Sequence, residues 1–361
     1  MERLTLTKMS TAAAVSLVLL LSACGSSSSD DASAGSDSDT AASTAVTPGD
    51  TVKVSIPSPV KGGDPVLVDV TVPEAGSQFG IPSPIHADPG QGSLDDANAA
   101  VYKLLGATSK LQDAKLDISR HVQLMDSMIT GGFAGITTDE LAPNSLDAVR
   151  ARAADAGVAV CLQFSNEPGG VNEDDAQAAS EMVAYLKEQL PEGGDGLIIN
   201  NTPAPVTVAR EEAFTAALGS ESSLKVADTA RNLKETVANA RQLTETLLQG
   251  NPDAKWIWTT NDIGAIGAGL AAQALDKDVV ILGMNGSPEA VKAIQDGLIS
   301  ATWDSNQNAI GALAALNCVN AAATGEELGE AQLVEYTKIT SDNADSWIPW
   351  ADRAPGIKVV E

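Results

Sequence analysis

Only two histidines, His86 and His121, and three cysteines occur in 361 residues. None of them has the paired spacing of a zinc site. There is also no G-x-S-x-G elbow and no G-x-x-x-x-G-K-S/T phosphate loop, so the residues for hydrolase and P-loop chemistry are missing and no cofactor is implied. Basic residues are scarce: 22 Lys and Arg stand against 48 Asp and Glu, for a net charge of −26. Nucleic-acid binding needs clustered cations to displace counterions, and this composition works against it. Beyond the first residues no run of 18 apolar residues occurs, so no later segment spans a bilayer.

The N-terminus does carry a signal. Arg3 and Lys8 precede an apolar run from Ala12 to Leu21, too short for a membrane span but laid out as a signal peptide, residues 1–23. The run ends in Leu21-Ser22-Ala23-Cys24-Gly25. Small residues before a cysteine match the bacterial lipobox, which makes Cys24 the expected lipidation site and the membrane anchor. From Gly25 to Gly49 the chain is almost entirely Ser, Asp, Ala, Gly and Thr. Such a stretch has too little apolar surface to offset its ordering entropy, so residues 24–50 read as a lipidated tether. Of the other cysteines, Cys161 sits in an apolar strand and Cys318 in an Ala-rich helix. They read as two buried free thiols, with a disulfide as the alternative in an oxidising compartment.

Past the tether, short apolar runs alternate with amphipathic stretches. Strands are expected at Phe133–Thr138, Val158–Phe164, Gly196–Asn200, Leu224–Ala227, Trp256–Thr260 and Val279–Met284. Most are continuous apolar runs, as when helices cover both faces of a sheet. Helices are expected at Ile118–Thr130, Leu146–Ala156, Gln177–Gln189, Thr207–Leu218, Thr236–Leu248, Ile263–Leu275 and Pro288–Gly297. Ser287-Pro288 supplies an N-cap and a proline at the first helical position, while Gly157 and Gly250 close helices. The fold class is α/β with parallel sheets. Thr51–Ile56 and Val66–Val72 read as a hairpin across Lys61-Gly62-Gly63.

Polar residues gather at the expected strand C-termini: Asp139, Ser165-Asn166, Asn201-Thr202, Asn261-Asp262, Asn285 and Asp304-Ser305. Open α/β sheets bind ligands outside these strand ends, and uncharged amides and hydroxyls suit a polyhydroxylated ligand. Half of these residues are expected only to cap the next helix. His86, in a Pro/Gly-rich loop after a strand, is a candidate contact, whereas His121 reads as a surface or rim residue. Gly267-Ala268-Gly269-Leu270-Ala271-Ala272 fits a dinucleotide fingerprint but falls inside a helix, so it reads as close helix–sheet packing.

Three segments carry a family resemblance. Trp258-Thr259-Thr260-Asn261-Asp262 followed by Gly264-Ala265-Ile266-Gly267-Ala268, then Ile281-Leu282-Gly283-Met284-Asn285-Gly286-Ser287-Pro288-Glu289-Ala290, then Ile294 to Thr302 resemble, in order and spacing, type I periplasmic-binding proteins of the ribose/galactose kind. The resemblance runs from about Gln78 to Ile348. It implies two Rossmann-like lobes with ligand closed between them and crossovers near Asn172, Ser305 and Gln332. The lobes would be 51–172 plus 306–332 and 173–305 plus 333–361. Arg210 matches the family's ligand-binding Arg, four residues before Phe214, and Asn261 its strand-end Asn. Asn285 stands where Asp is usual, Asp139 where Asn is common and Ser305 where Gln is common. Phe164-Ser165 replaces an Asp-Arg pair, so Phe164 or Trp303 becomes the candidate stacking platform.

The expected function is therefore a monomeric extracytoplasmic lipoprotein, not an enzyme, that captures a sugar or polyol and delivers it to an ABC permease. The alternative is a receptor feeding a sensor kinase or chemoreceptor; an extracytoplasmic enzyme is the weakest reading. Ligand contacts are expected at Arg210, Asn261, Asn285, Asp139, Phe164, Asn166, Ser305, Trp303 and His86. Arg210 is expected to clamp ligand oxygens, with an ion pair to Glu211, Glu212 or another surface acid as the alternative. Its replacement by Ala is expected to spare the stability of the empty protein.

Overall fold

A computed structural model describes residues 46–361. The expected signal peptide, the expected lipidation site Cys24 and the expected tether up to residue 45 lie outside the described residues.

The chain opens with two antiparallel strands, β1 (Thr51–Ile56) and β2 (Val66–Thr71). The first α/β segment follows: β3 (Gln78–Ser83), α1 (Pro89–Leu104), β4 (Thr108–Asp113), α2 (Ile118–Thr130), β5 (Gly135–Thr138), α3 (Asp147–Asp155) and β6 (Ala159–Leu162). A short strand, β7 (Val171–Glu173), leads to the second segment. That segment holds α4 (Asp175–Gln189), β8 (Gly194–Asn201), α5 (Pro205–Gly219), β9 (Leu224–Asn232) and α6 (Val237–Gly250). It continues with β10 (Trp256–Thr259), α7 (Asp262–Ala274), β11 (Val280–Asn285), α8 (Pro288–Gln295) and β12 (Ala301–Asp304). The chain then returns through α9 (Gln307–Thr324), β13 (Gln332–Val334), β14 (Thr337–Thr340), α10 (Trp350–Arg353) and β15 (Lys358–Val360).

Two sheets organise this. One has four strands in the order β4-β3-β5-β6, all parallel. The other has six, β14-β12-β11-β10-β8-β9, parallel except at β14. Strand alternation assigns each face a core. On the four-stranded sheet, Phe79, Ile81 and Cys161 pack with Leu94, Val101 and Leu316 of α1 and α9, while Ile136 and Leu162 meet Met125 and Val149 of α2 and α3. On the six-stranded sheet, Ile198, Trp256, Trp258 and Trp303 lie under α4 and α5, and Leu197, Ile199 and Ile281 lie under α6, α7 and α8. The chain passes between the two large sheets three times, two of the passages pairing as the parallel ribbon β7–β13, and its last residues return once more to the core of the four-stranded side.

Helix starts are fixed by side chains that take up orphan N–H groups. Asp88, Asp117, Asp174, Thr236 and Ser287 each accept from the first turn of the helix they precede. The expected strand β9 ends at Ala227 but runs on to Asn232, and β4 carries no apolar run at all. Both are exposed edge strands, where one neighbour suffices and polar side chains are tolerated.

Three expectations are corrected. Cys161 and Cys318 form a disulfide with a Cα–Cα distance of 5.7 Å, rather than standing as free thiols. The Ala-rich face of α9 lets it lie close on β5 and β6, which brings the two sulfurs together. The segment 333–361 does not stay with one sheet: β15 pairs with β1, and Ala354 and Ile357 join the core that holds Val54 and Phe79. Finally, Gly267 packs against a helix rather than a sheet, since a Cβ there would lie 2.5 Å from that of Ala240 in α6. The hairpin reading of β1 and β2 holds, and its connection reaches Trp347 and Ile348 through Val60 and through Ile348 N–H donating to Pro59 O at 2.8 Å.

Candidate functional site

Strain marks one end of the sheets. Six of the eight described non-glycine residues with positive φ lie at or just beyond strand C-termini: Lys115, Leu116, Phe164, Glu235, Asn285 and Asn306. Such backbone conformations cost free energy, persist where the surrounding structure over-determines them, and cluster at functional sites. These are also the ends at which open α/β sheets receive ligands.

On the six-stranded side the centre is Arg210, early in α5 and 5 % exposed. Its Nη2 donates to Glu173 Oε1 at 2.8 Å and Oε2 at 3.1 Å. Nη1 donates to Asn285 Oδ1 at 2.7 Å and to Thr260 O at 3.1 Å. Nε reaches Tyr336 Oη at 3.2 Å and Glu173 Oε2 at 3.3 Å. The ion pair is thus with buried Glu173 of the ribbon, not with Glu211 or Glu212, and every guanidinium nitrogen already has a protein acceptor. Burial opposes the charge of Arg210, but Glu173, Tyr336 and Asp175 outweigh it and hold the guanidinium protonated. Asp175 accepts from Tyr336 Oη at 2.8 Å, and burial, followed by repulsion from Glu173, pushes its carboxyl up to about 6.

The other expected contacts on this side have partly local roles. Asn261 caps α7, its Oδ1 accepting from Gly264 N at 3.0 Å, which leaves the side-chain NH2. Asn285, at φ 115°, spends its Oδ1 on Arg210. Ser305 is fully buried and its Oγ has no partner. Trp303 is not available as a platform. Its strand alternation turns it under α4, where Nε1 donates to Glu181 at 3.1 Å and its ring meets Tyr185 edge-on at 6.0 Å. Thr302 and Asp304 take the opposite face, where Asp304 accepts from Arg353 and from Trp347.

The four-stranded side is acidic. His86 Nδ1 lies 2.9 Å from Asp95 Oδ2, and Gln91 Nε2 donates to both Asp95 Oδ1 and Asp139 Oδ1 at 3.2 Å. Burial, and then the charge of Asp95, push the Asp139 carboxyl up to about 7. Burial likewise raises Asp95. Phe164, at φ 50°, packs its ring partly against the core under α1 and α9. Asn166 is exposed and accepts from Asn172 Nδ2 at 3.0 Å. His121 is buried rather than on the surface; its Nε2 sits 2.9 Å from Pro82 O and 2.8 Å from Thr138 Oγ1, and burial lowers its pKa.

Several functional candidates escaped the sequence reading. Gln163, Asn200, Asn306 and Gln307 each bury a side-chain polar atom without a protein partner, as does Asn201, already among the strand-end residues named from the sequence. All lie at the ends of β6 and β8 or just after β12. Buried polar atoms are normally paired, so a cluster of exceptions asks for a partner that the chain does not supply. The signal was present in Ile198-Ile199-Asn200-Asn201, where an apolar strand ends in two amides.

Parallel sheets whose polar strand ends lie beside three chain crossings define a bilobal α/β binding protein. The chain belongs to the periplasmic binding protein domain family, whose profile matches residues 88–327. The D-apiose import binding protein of Paraburkholderia graminis is 30% identical over 300 residues, covering 75% of this chain and 89% of the relative. The ribose import binding protein RbsB of Bacillus subtilis is 25% identical over 207 residues, 56% of this chain and 67% of the relative. Among solved structures, the periplasmic ribose ABC transporter protein of Conexibacter woesei superposes with a TM-score of 0.71 at 17% identity, covering 78% of this chain and 98% of that one. A solute binding protein of Actinobacillus succinogenes with bound D-allose gives 0.67 at 17% identity over 75% of this chain and all of that one. These structures share the fold.

Proposed function

We propose that this chain is the extracytoplasmic receptor of a sugar importer, binding a neutral polyhydroxylated ligand between its two sheets and handing it to an ABC permease without chemical change. The observation that carries this is the set of unpartnered, buried, mostly uncharged polar atoms at strand ends of both sheets and at the crossing after β12. A polyol brings many donors and acceptors to such a surface, whereas a hydrophobic or strongly anionic ligand leaves them unpaired. The relatives named for ribose and apiose import support the same reading. In it the lobes are 51–172 with 306–332 and 173–305 with 333–353, and residues 354–361 return to the first. Closure of the lobes is the transition expected of such an architecture. His86, Asp139 and Phe164 face the ligand from one lobe and Asn261, Ser305 and Asn285 from the other, with Arg210 holding Asn285 in place.

Cys24 then anchors the receptor through lipid, with the low-complexity segment behind it as a tether. Mass spectrometry of the membrane fraction should show a diacylated Cys24 at the new N-terminus, and an unmodified Cys24 in the native protein removes the anchor from this picture. For the receptor itself, thermal shift over pentoses, hexoses and polyols is the first test. A ligand at a hundredfold excess over Kd stabilises the folded form by about 2.7 kcal/mol. Failure of every sugar and polyol, or recovery of a chemically altered ligand, overturns the reading.

A further inference from the structure

Asn200 is the penultimate residue of β8 and only 1 % exposed, yet neither its Oδ1 nor its Nδ2 has a partner. It is the single described residue with both side-chain polar atoms left this way. Its neighbours Leu197, Ile198 and Ile199 are apolar and fully packed. A leucine at this position would continue the run and remove the desolvation cost of an unpaired amide. Contacts within the protein therefore give no reason for an amide here.

Its place in the sheet supplies one. Ile198 points under α4 and α5, and alternation carries Asn200 to the same face. β8 pairs with β10 so that Ile199 stands opposite Thr259, which sets Asn200 against Thr260. The carbonyl of Thr260 is the one that Arg210 Nη1 holds at 3.1 Å, and Thr260 Oγ1 accepts from Asn201 N at 3.0 Å. The backbone around Asn200 is thus pinned and each Arg210 nitrogen is engaged within the protein, while the Asn200 amide stays free. Asn201 Oδ1, 2 % exposed, is a second unpartnered acceptor one residue on.

We propose that Asn200 is a specificity residue that reads a vicinal diol of the ligand. A primary amide offers one acceptor and one donor side by side. Two adjacent hydroxyls match this, one donating to Oδ1 and the other accepting from Nδ2. A carboxylate or phosphate matches only the donor and would face Oδ1 with like polarity, so the amide selects neutral sugars over sugar acids. This rests on the receptor reading above.

The test uses the full described chain, with D-ribose, D-arabinose, D-allose and myo-inositol as probes, together with monodeoxy analogues of whichever binds. Asn200→Leu should melt no lower than the wild type when empty, since an unpaired polar group is replaced by packing. It should also bind the probe at least tenfold more weakly. One monodeoxy analogue should lose affinity against the wild type but lose almost none further against Asn200→Leu, because the hydroxyl it lacks is the one read by the amide. Asn200→Asp keeps the volume and the acceptor, and should also weaken binding if the donor is used. If Asn200→Leu melts well below the wild type and binds every analogue with unchanged affinity, the amide is satisfied by an ordered water and the proposal is overturned. If Asn200→Leu does not fold, the analogue comparison in Asn200→Asp decides in the same way. Failure of the wild type to bind any sugar or polyol is a different result and overturns the receptor reading as well.

Discussion

Arg210 and Asp139 stand at strand ends of opposite sheets, and their surroundings differ in kind. Arg210 is closed in by acceptors from four elements or loops, with Glu173 bidentate against it, and each of its nitrogens has a protein acceptor. Asp139 has one hydrogen bond from Gln91, a second carboxylate nearby and a carboxyl pushed up to about 7. One side is finished as a rigid, charged joint between the β7–β13 ribbon and the sheet. The other is held short of full ionisation. A residue matched to a family's binding position can thus be held in internal hydrogen bonds in the empty site, while Asn200 keeps its polar atoms free.

The largest test of this contrast is removal of one partner of the buried pair. Arg210→Ala leaves Glu173 buried and unpaired, which typically costs about 3–5 kcal/mol. Urea denaturation of the empty protein should show that loss, reversing the expectation that stability is spared. Glu173→Leu combined with Arg210→Met should recover most of it, because packed apolar residues often replace a buried ion pair without loss. A single Arg210→Ala variant as stable as the wild type would mean that the joint is not structural.

The disulfide comes next. It spans 157 residues and ties β6 to α9, both on the four-stranded side. Replacing Cys161 and Cys318 by Ala together should cost about 2–5 kcal/mol, read by denaturation under non-reducing conditions. Equal stability of the variant and the wild type would show that the bond contributes nothing beyond packing.

Much of the fold was legible because buried parallel strands announce themselves. The helix Ile118–Thr130 and the strands around Trp256 and Val280 fall within a residue or two of expectation, since continuous apolar runs and N-cap residues report burial directly. β4 was not seen, because Thr108-Ser109-Lys110-Leu111-Gln112-Asp113 has no such pattern. The pairing of β15 with β1 was invisible for another reason: it joins the two ends of the fold, and no local signal records a contact at that separation. For the site, residue type and strand-end position singled out Asn261, Asn285 and Ser305. They could not say which polar atoms would be consumed internally. The saturation of Arg210, the burial of Trp303 and the freedom of Asn200 depend on partners distant in sequence.

The smallest expected effect is also the one that most sharply separates the two sides, through pH. Burial, followed by repulsion from Asp95, raises the Asp139 carboxyl from 3.8 to about 7 in the folded protein. The folded state therefore holds this proton more tightly than the unfolded state does. Its stabilising influence is complete below about pH 4 and is lost as pH rises through about 7. Asp139→Asn keeps the shape and the acceptor for Gln91 Nε2 and removes the charge that Asp95 opposes. The variant should match the wild type near pH 4 and gain on it progressively up to pH 8. Asp139 is only half-buried by its exposed surface, so solvent screens part of the burial effect, and the gain at pH 8 should be about 1 kcal/mol rather than the several that one unit per ~1.4 kcal/mol would give. Asp175 and Asp262 are raised too, to about 6 and about 7, but both remain in the variant and cancel in the difference. Urea titrations of the two proteins at pH 4, 6 and 8 measure that difference directly. Parallel stability curves across this range would show that Asp139 is as ionised as any surface carboxylate, and that the four-stranded side is no less settled than the side built around Arg210.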